Sequence, residues 1–406
     1  MAWVSWRAGM AALLLAVASM PAVPAQAQKK YGPGASDSEI RLGQSLPYSG
    51  PLSALGLVGK AEQAYFRMLN DAQGGINGRK VTLLSLDDGY SPPKTVEMTR
   101  QLVEKEQVLA IFSTLGTPTN TAIHRYLNQK KVPHLFILSG AAKWNDPSNN
   151  PWTMMGMPAY RTEAGVYAQH ILKTRPNAKI AVLVQNDDFG RDYLEGFKAA
   201  LGDKAKAMIV AEATYESTDP TVESQMIQLQ NSGADVLFNI ALGKHQSMAI
   251  RKAGESGWKP QIYVPAGASS IPGVLRPAGA DNALGATTIA LGKIPGDPQW
   301  DSDPGMKAYF AFMQKYLPGE NPLDSSASGG YGYGALLAHV LERCGDDLSR
   351  ENVISKAASI RAFVGPLALP GVAVNTSPQS YLPYRQLRLQ RFDGTTYKVL
   401  DDVFGD

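Results

Sequence analysis

The chain has 406 residues, 44% of them hydrophobic and 18% charged, with a formal net charge of +3. Such a length and apolar content suit two large cores better than one, and near-neutral charge without a long basic block gives no reason to expect nucleic acid or an anionic membrane surface as partner. The single cysteine, Cys344, excludes a disulfide framework.

In chain order, the first 27 residues combine a charged start at Arg7, an apolar centre over residues 10–20 and the small-residue triplet Ala25-Gln26-Ala27. This pattern predicts a signal peptide cleaved near Ala27, since the apolar run falls short of the roughly 20 residues a membrane span needs. The expected location is the periplasm of a Gram-negative bacterium. Residues 28–37, rich in Gly and Ser, are expected to form a flexible lead-in.

A regular alternation follows. The apolar runs "IRLGQSL", "KVTLLSL", "VLAIF" and "PHLFIL" are separated by helical patterns such as "LVGKAEQAYFRMLNDA" and "PKTVEMTRQLVEKE". A second series, "AKIAVLVQ", "AKAMIVAEA", "ADVLFNI" and "PQIYVP", repeats the arrangement. Both have βαβ spacing, which predicts an α/β fold of two doubly wound, parallel-sheet lobes. The Pro- and Gly-bearing segment "PWTMMGMPAYRTEAG" (residues 151–165) is expected to cross between them.

In open parallel sheets, ligands bind beyond the carboxyl ends of the strands. The segments there are "SLPYSGPLSALG", "STLGTPTN", "LSGAAKWND", "QNDDFGRD", "NIALGKH" and "VPAGASS". Their small, hydroxyl-bearing and aromatic residues suit enclosure of a small molecule. In "STLGTPTN" an apolar strand opens into a helix start, where free backbone N–H groups and the helix dipole favour an anion.

Catalytic signatures are missing. "LGTPTNTA" lacks the lysine of a phosphate-binding loop, and no G-x-S-x-G nucleophile elbow occurs. "GGYGYG" (residues 329–334) follows polar "DSSAS" rather than a strand, so close helix packing explains it better than a dinucleotide loop. The five histidines show no metal-ligand spacing, and no metal or cofactor is expected. The pairs Asp87-Asp88 and Asp187-Asp188 read as turn and cap formers, and Cys344 as an inert buried thiol.

The blocks "LPYSGPLSALG", "LNDAQGGINGRKVTLLSLDDGYSP", "STLGTPTNTAI", "NDDFGRDYLEGFK" and "DPTVESQMIQLQNSGADVLF" together resemble those of type I periplasmic solute-binding proteins, the Leu/Ile/Val-binding family of ABC importers. The resemblance runs from about Ile40 to the C-terminus. It implies a two-lobed receptor that closes on a small molecule and delivers it to an inner-membrane ABC permease. It also implies three crossovers, near residues 157–160, 289–292 and 363–366. Lobe one would be residues 38–158 plus 290–362, and lobe two 159–289 plus 363–406. Nothing suggests oligomers, and a monomer is expected.

Within that frame the backbone around Leu115, Gly116 and Thr117, with the Thr117 hydroxyl, is expected to accept a ligand carboxylate. Gly140, Ala141 and Ala142 would offer a second row of backbone groups, and Phe189 would close from lobe two as an apolar lid. Tyr48, Leu55, Ser139, Tyr160, Asn239 and Leu242 complete the candidate set with Ala266. The family's amino-acid binders grip the ligand's ammonium and carboxylate partly through a Ser, a Thr and a Glu. Aligned on the same motifs, this chain has Gly116, Ala142 and Ala266. A buried ammonium without an acceptor is costly, so the expected ligand is an organic acid without an α-amino group, aromatic or aliphatic. The alternatives are a branched-chain or other amino acid in the same site, with Asn239 or Lys244 as polar partner if the register shifts. More distant are a ligand-sensing regulatory subunit and an exported hydrolase using Ser139 or Ser113.

Overall fold

A computed structural model of the protein describes residues 1–2 and 29–405. The expected signal peptide and its cleavage site lie outside the described residues. Two sheets organise the chain. The first has the order Lys80–Asp87, Glu39–Leu46, Ala110–Phe112, His134–Ile137, Thr153–Met155, all parallel. Helices cover both faces, as the side-chain alternation of a strand requires. Ala110 and Phe112 pack into one core with Phe66 and Tyr331, whereas Ile111 joins Leu127 and Val132 on the other side.

The second sheet runs Tyr397–Gly405, Gln386–Phe392, Thr287–Ala290, Gln261–Tyr263, Val236–Ile240, Ile180–Gln185, Ile209–Tyr215. Its five inner-sequence strands are parallel, and the C-terminal hairpin adds two antiparallel ones. The sheet is thus mixed rather than purely parallel. Val182 and Phe238 face one core, Leu183 and Leu237 the other. Among the described residues no helix is long and apolar enough to cross a membrane.

The described part of the lead-in makes contacts with the rest of the chain. Lys30–Tyr31 pairs in parallel with Asp347–Leu348, and Arg79, 3% exposed, donates to Asp346, the Tyr31 hydroxyl and the Ser36 carbonyl. Residues 151–165 do not all serve as crossover, because Thr153–Met155 first forms the edge of sheet one. The chain then reaches the lobe-two helix Tyr160–Thr174.

The second crossover follows Thr287–Ala290 and lies beside the third. Lys293 N–H donates to the Leu367 carbonyl at 2.8 Å and Leu369 N–H to that of Leu291 at 3.2 Å. The third crossover is longer than expected. After residues 363–369 the chain returns to the lobe-one core through Val374 and Tyr381, the latter bonded to Asn145 and Pro151. It enters sheet two only at Gln386.

Candidate functional site

A cavity of about 330 Å³ lies between the lobes. On the lobe-one side its wall is the turn between the strand Ala110–Phe112 and the helix Thr117–Gln129. Gly116 sits there at φ 104°, and a Cβ on it would lie 2.5 Å from the Tyr90 ring and 2.6 Å from the Thr119 hydroxyl. Glycine is required by this conformation and by the close approach. The turn therefore presents backbone rather than a side chain. Leu115, Gly116 and Thr117 all line the cavity, with Leu55 beside them.

Not all of the expected donors are free. Gly116 N–H donates to the Leu138 carbonyl at 3.2 Å, extending the sheet, and Pro118 has no N–H. The Thr117 hydroxyl lies 2.8 Å from that of Ser139. What remains for a ligand at the cavity wall is the first-turn amide of Thr117, which has no intrahelical acceptor, and the positive end of the helix dipole.

From lobe two, Asp187 caps the helix Asp188–Leu201 by accepting from the N–H groups of Phe189 and Gly190. This aims Phe189, and Tyr193 one turn later, into the cavity. The Phe189 ring meets Tyr160 edge-on at 5.3 Å, and Tyr160 stacks on Tyr193 at 4.3 Å. Leu242 and Ala266, at the ends of neighbouring strands, complete the apolar wall. Thus Leu55, Leu115, Gly116, Thr117, Tyr160, Phe189, Leu242 and Ala266 come together.

The other candidates do not line the cavity. Tyr48 turns its hydroxyl to Ser85, 2.5 Å away, and packs over Gly56 and Gly59. Ser139 is buried behind Thr117, accepting from the Trp144 indole at 2.8 Å. Gly140 serves the crossover: its carbonyl accepts from Tyr160 N–H at 2.7 Å, and a Cβ there would lie 2.0 Å from the Pro158 oxygen. Ala141 is buried beside it, and Ala142 N–H donates across the cleft to Asp192 at 3.0 Å. None of this expected second row lines the cavity: Gly140 packs on the crossover, Ala141 is buried, and the Ala142 amide is taken up by Asp192. Asn239 is fully buried inside lobe two and reaches the Gln246 carbonyl.

Several lining residues were missed by sequence reasoning, among them Tyr90, Met157 and Tyr193. Tyr193 was findable, because it falls four residues after Phe189 on one helix face. Met157 carried no signal beyond its place in a crossover.

Among the described residues no Asp or Glu side chain lines the cavity, and its one charged lining residue, Lys293, is paired with Asp303 at 2.6 Å. Behind the lining, the buried Glu163 already has its hydrogen-bond partners. It accepts from Tyr167 at 2.6 Å, Tyr193 at 2.9 Å and Ala266 N–H at 2.7 Å, and burial pushes its pKa up to about 7. Burial likewise raises the Tyr160 phenol to about 12, against the hydrogen bonding of Gly140, Thr117 and Ser139.

A nucleophile is not organised here. The Ser113 hydroxyl donates to Glu62 at 2.5 Å, and the partners of Ser139 are Thr117 and Trp144. Asp87 collects backbone N–H groups of Tyr48, Ser49 and Gly89 as a turn former. Cys344 is buried against the Val340 carbonyl, its thiol pushed up to about 12 by burial.

Residues 39–394 match the family model described as periplasmic binding protein. A curated relative, Leu/Ile/Val-binding protein homolog 7 of Brucella suis, is 23% identical over 58% of this chain and 60% of its own length. The chain therefore spans about 60% of the length of the curated relatives it first matches. A branched-chain amino acid ABC transporter structure from Thermus thermophilus with bound valine superposes with a TM-score of 0.81, at 18% identity over 92% of this chain and 98% of that one. A solute-binding protein from Rhodopseudomonas palustris, in complex with 3,4-dihydroxybenzoic acid, gives 0.75 at 18% identity, covering 91% and 98%. At these identities the structural likeness establishes the fold, two lobes of the type I periplasmic binding protein kind.

Proposed function

The chain belongs to the periplasmic binding protein family, and from that premise we propose that it is the periplasmic receptor of an ABC importer for an organic acid lacking an α-amino group, aromatic carboxylates first. The ligand is captured between the lobes and passed to a membrane permease, with no chemical step.

One observation carries the choice of ligand: among the described residues no carboxylate side chain lines the cavity. An α-ammonium buried there would lose its hydration without a counter-charge, at a cost of several kcal/mol. A carboxylate meets the first-turn amide of Thr117 and the dipole of the helix Thr117–Gln129, which depend on no side chain. Its apolar body meets Leu55, Phe189, Tyr160 and Leu242. Of the ligands seen in the two structural neighbours, valine carries the ammonium and 3,4-dihydroxybenzoate does not.

Titration calorimetry of the protein, stripped of bound ligand by unfolding and refolding, tests the reading. The probes are benzoate, 4-hydroxybenzoate, short alkanoates and the twenty amino acids. Binding of carboxylates with silent leucine, isoleucine and valine is expected. Micromolar binding of those three with silent carboxylates overturns it.

A further inference from the structure

The cavity does not end at the aromatic cluster. The same continuous space is lined further on by Leu336, Phe363, Leu367 and Val374, where the second and third crossovers run side by side. Tyr333 and Tyr384, both in its lining, pack against the lobe-one core and against the cluster that spans the two lobes.

The helix Ser325–Cys344 forms one wall of this extension. Its lining residues Ser325, Gly329, Gly332 and Leu336 recur at three- and four-residue spacing, with Ser326, Ser328 and Tyr333 flanking that stripe, which places them on one face. From Ser325 to Leu336 that face runs about 16 Å at 1.5 Å per residue. The other face is closed. A Cβ at Gly330 would lie 2.3 Å from the Val58 oxygen, and one at Gly334 2.6 Å from the Tyr65 ring, because these two glycines let the helix Leu57–Gln73 approach. At Gly329 and Gly332 an added Cβ meets no atom within 4 Å. Helix packing thus explains two of the four glycines in "GGYGYG", and the other two open onto the cavity.

We infer that the receptor's ligand is an elongated organic acid, its carboxylate at the Thr117 helix start and its apolar tail lying past Tyr333 along Gly329 and Gly332 toward the crossovers. The inference rests on the carboxylate reading of the same cleft and adds a length to it. A single ring at Thr117 leaves the apolar walls at Leu336, Phe363 and Val374 without a partner, whereas an alkyl or arylalkyl tail covers them.

The test is calorimetry of the refolded protein with n-alkanoates from acetate to decanoate, and with benzoate against 4-phenylbutyrate. Each methylene that enters the extension should tighten binding roughly fourfold until the arm is filled. Gly332→Leu, which projects a side chain into open space, should weaken decanoate and 4-phenylbutyrate at least tenfold more than benzoate. Gly329→Leu serves the same purpose should Gly332→Leu fail to fold. Benzoate binding with a series flat or falling in chain length overturns the elongated ligand and leaves the carboxylate reading standing. An equal loss for short and long acids in the variants also overturns it. Silence of every carboxylate brings down both.

Discussion

The Ala142 backbone N–H of lobe one donates a 3.0 Å hydrogen bond to Oδ2 of Asp192 in lobe two, whose Oδ1 accepts from Arg161 at 2.9 Å. Close by, Lys143 pairs with Asp188 at 2.7 Å, and the Tyr90 hydroxyl donates to Asp187 at 3.3 Å. These contacts join the two lobes, that of Ala142 lying close to the first crossover at Pro158 and Tyr160. Asp192→Ala removes a hydrogen bond to a charged group, worth about 1.5–3 kcal/mol. Ligand affinity should fall roughly tenfold to hundredfold with the melting temperature little changed. An unaltered affinity would mean the bond adds nothing to closure.

Phe189 is 3% exposed and packs on both Tyr160 and Tyr193. Phe189→Ala should cost about 3 kcal/mol of stability by opening a cavity in that cluster and should lower ligand affinity at least tenfold, as part of the apolar lid is lost. Chemical denaturation and calorimetry separate the two effects. A stability loss with binding intact would make Phe189 a core residue of lobe two alone.

Neighbouring glycines should answer the same substitution with opposite signs. Gly330→Ala forces a Cβ against the Val58 carbonyl and should destabilise by about 1–3 kcal/mol, as overpacking does. Gly329→Ala meets nothing and should stabilise by up to about 1 kcal/mol through helix propensity. Equal shifts in thermal melts would contradict the assignment of the two helix faces.

Burial raises the carboxyl pKa of Glu163 to about 7 and of Glu62 to about 8, from 4.5. The native state then holds protons that the unfolded chain has released, so their contribution to stability falls as pH rises from about 4.5 to 8. Glu163→Gln keeps an acceptor for Ala266 N–H and removes the titration. The stability gap between this variant and wild type should shift in the variant's favour by on the order of a few kcal/mol from pH 5 to pH 8. A gap independent of pH would show that Glu163 titrates normally.

The strands that were legible are the buried ones. Runs such as "VLAIF" and "ADVLFNI" are apolar throughout because helices cover both sheet faces. Thr153–Met155 is too short to register as a strand within a Pro-rich segment, and the hairpin of Gln386–Phe392 and Tyr397–Gly405 is studded with charges. Of the cavity lining, the rule that ligands lie beyond strand ends reached Leu115, Thr117, Phe189, Leu242 and Ala266. Ser139 and Gly140 to Ala142 lie outside that lining, because a strand end can equally face a crossover packed on it. That depends on Tyr160 and Pro158, which are distant in pattern but adjacent in space.

The central claim, capture of an acid without an ammonium between closing lobes, is tested most directly by small-angle scattering of the ligand-stripped protein, first alone and then with saturating 4-phenylbutyrate or saturating leucine. Closure by hinge motion shrinks the molecule. The account predicts a smaller radius of gyration with 4-phenylbutyrate and no change with leucine; contraction with leucine and none with 4-phenylbutyrate or benzoate would contradict it.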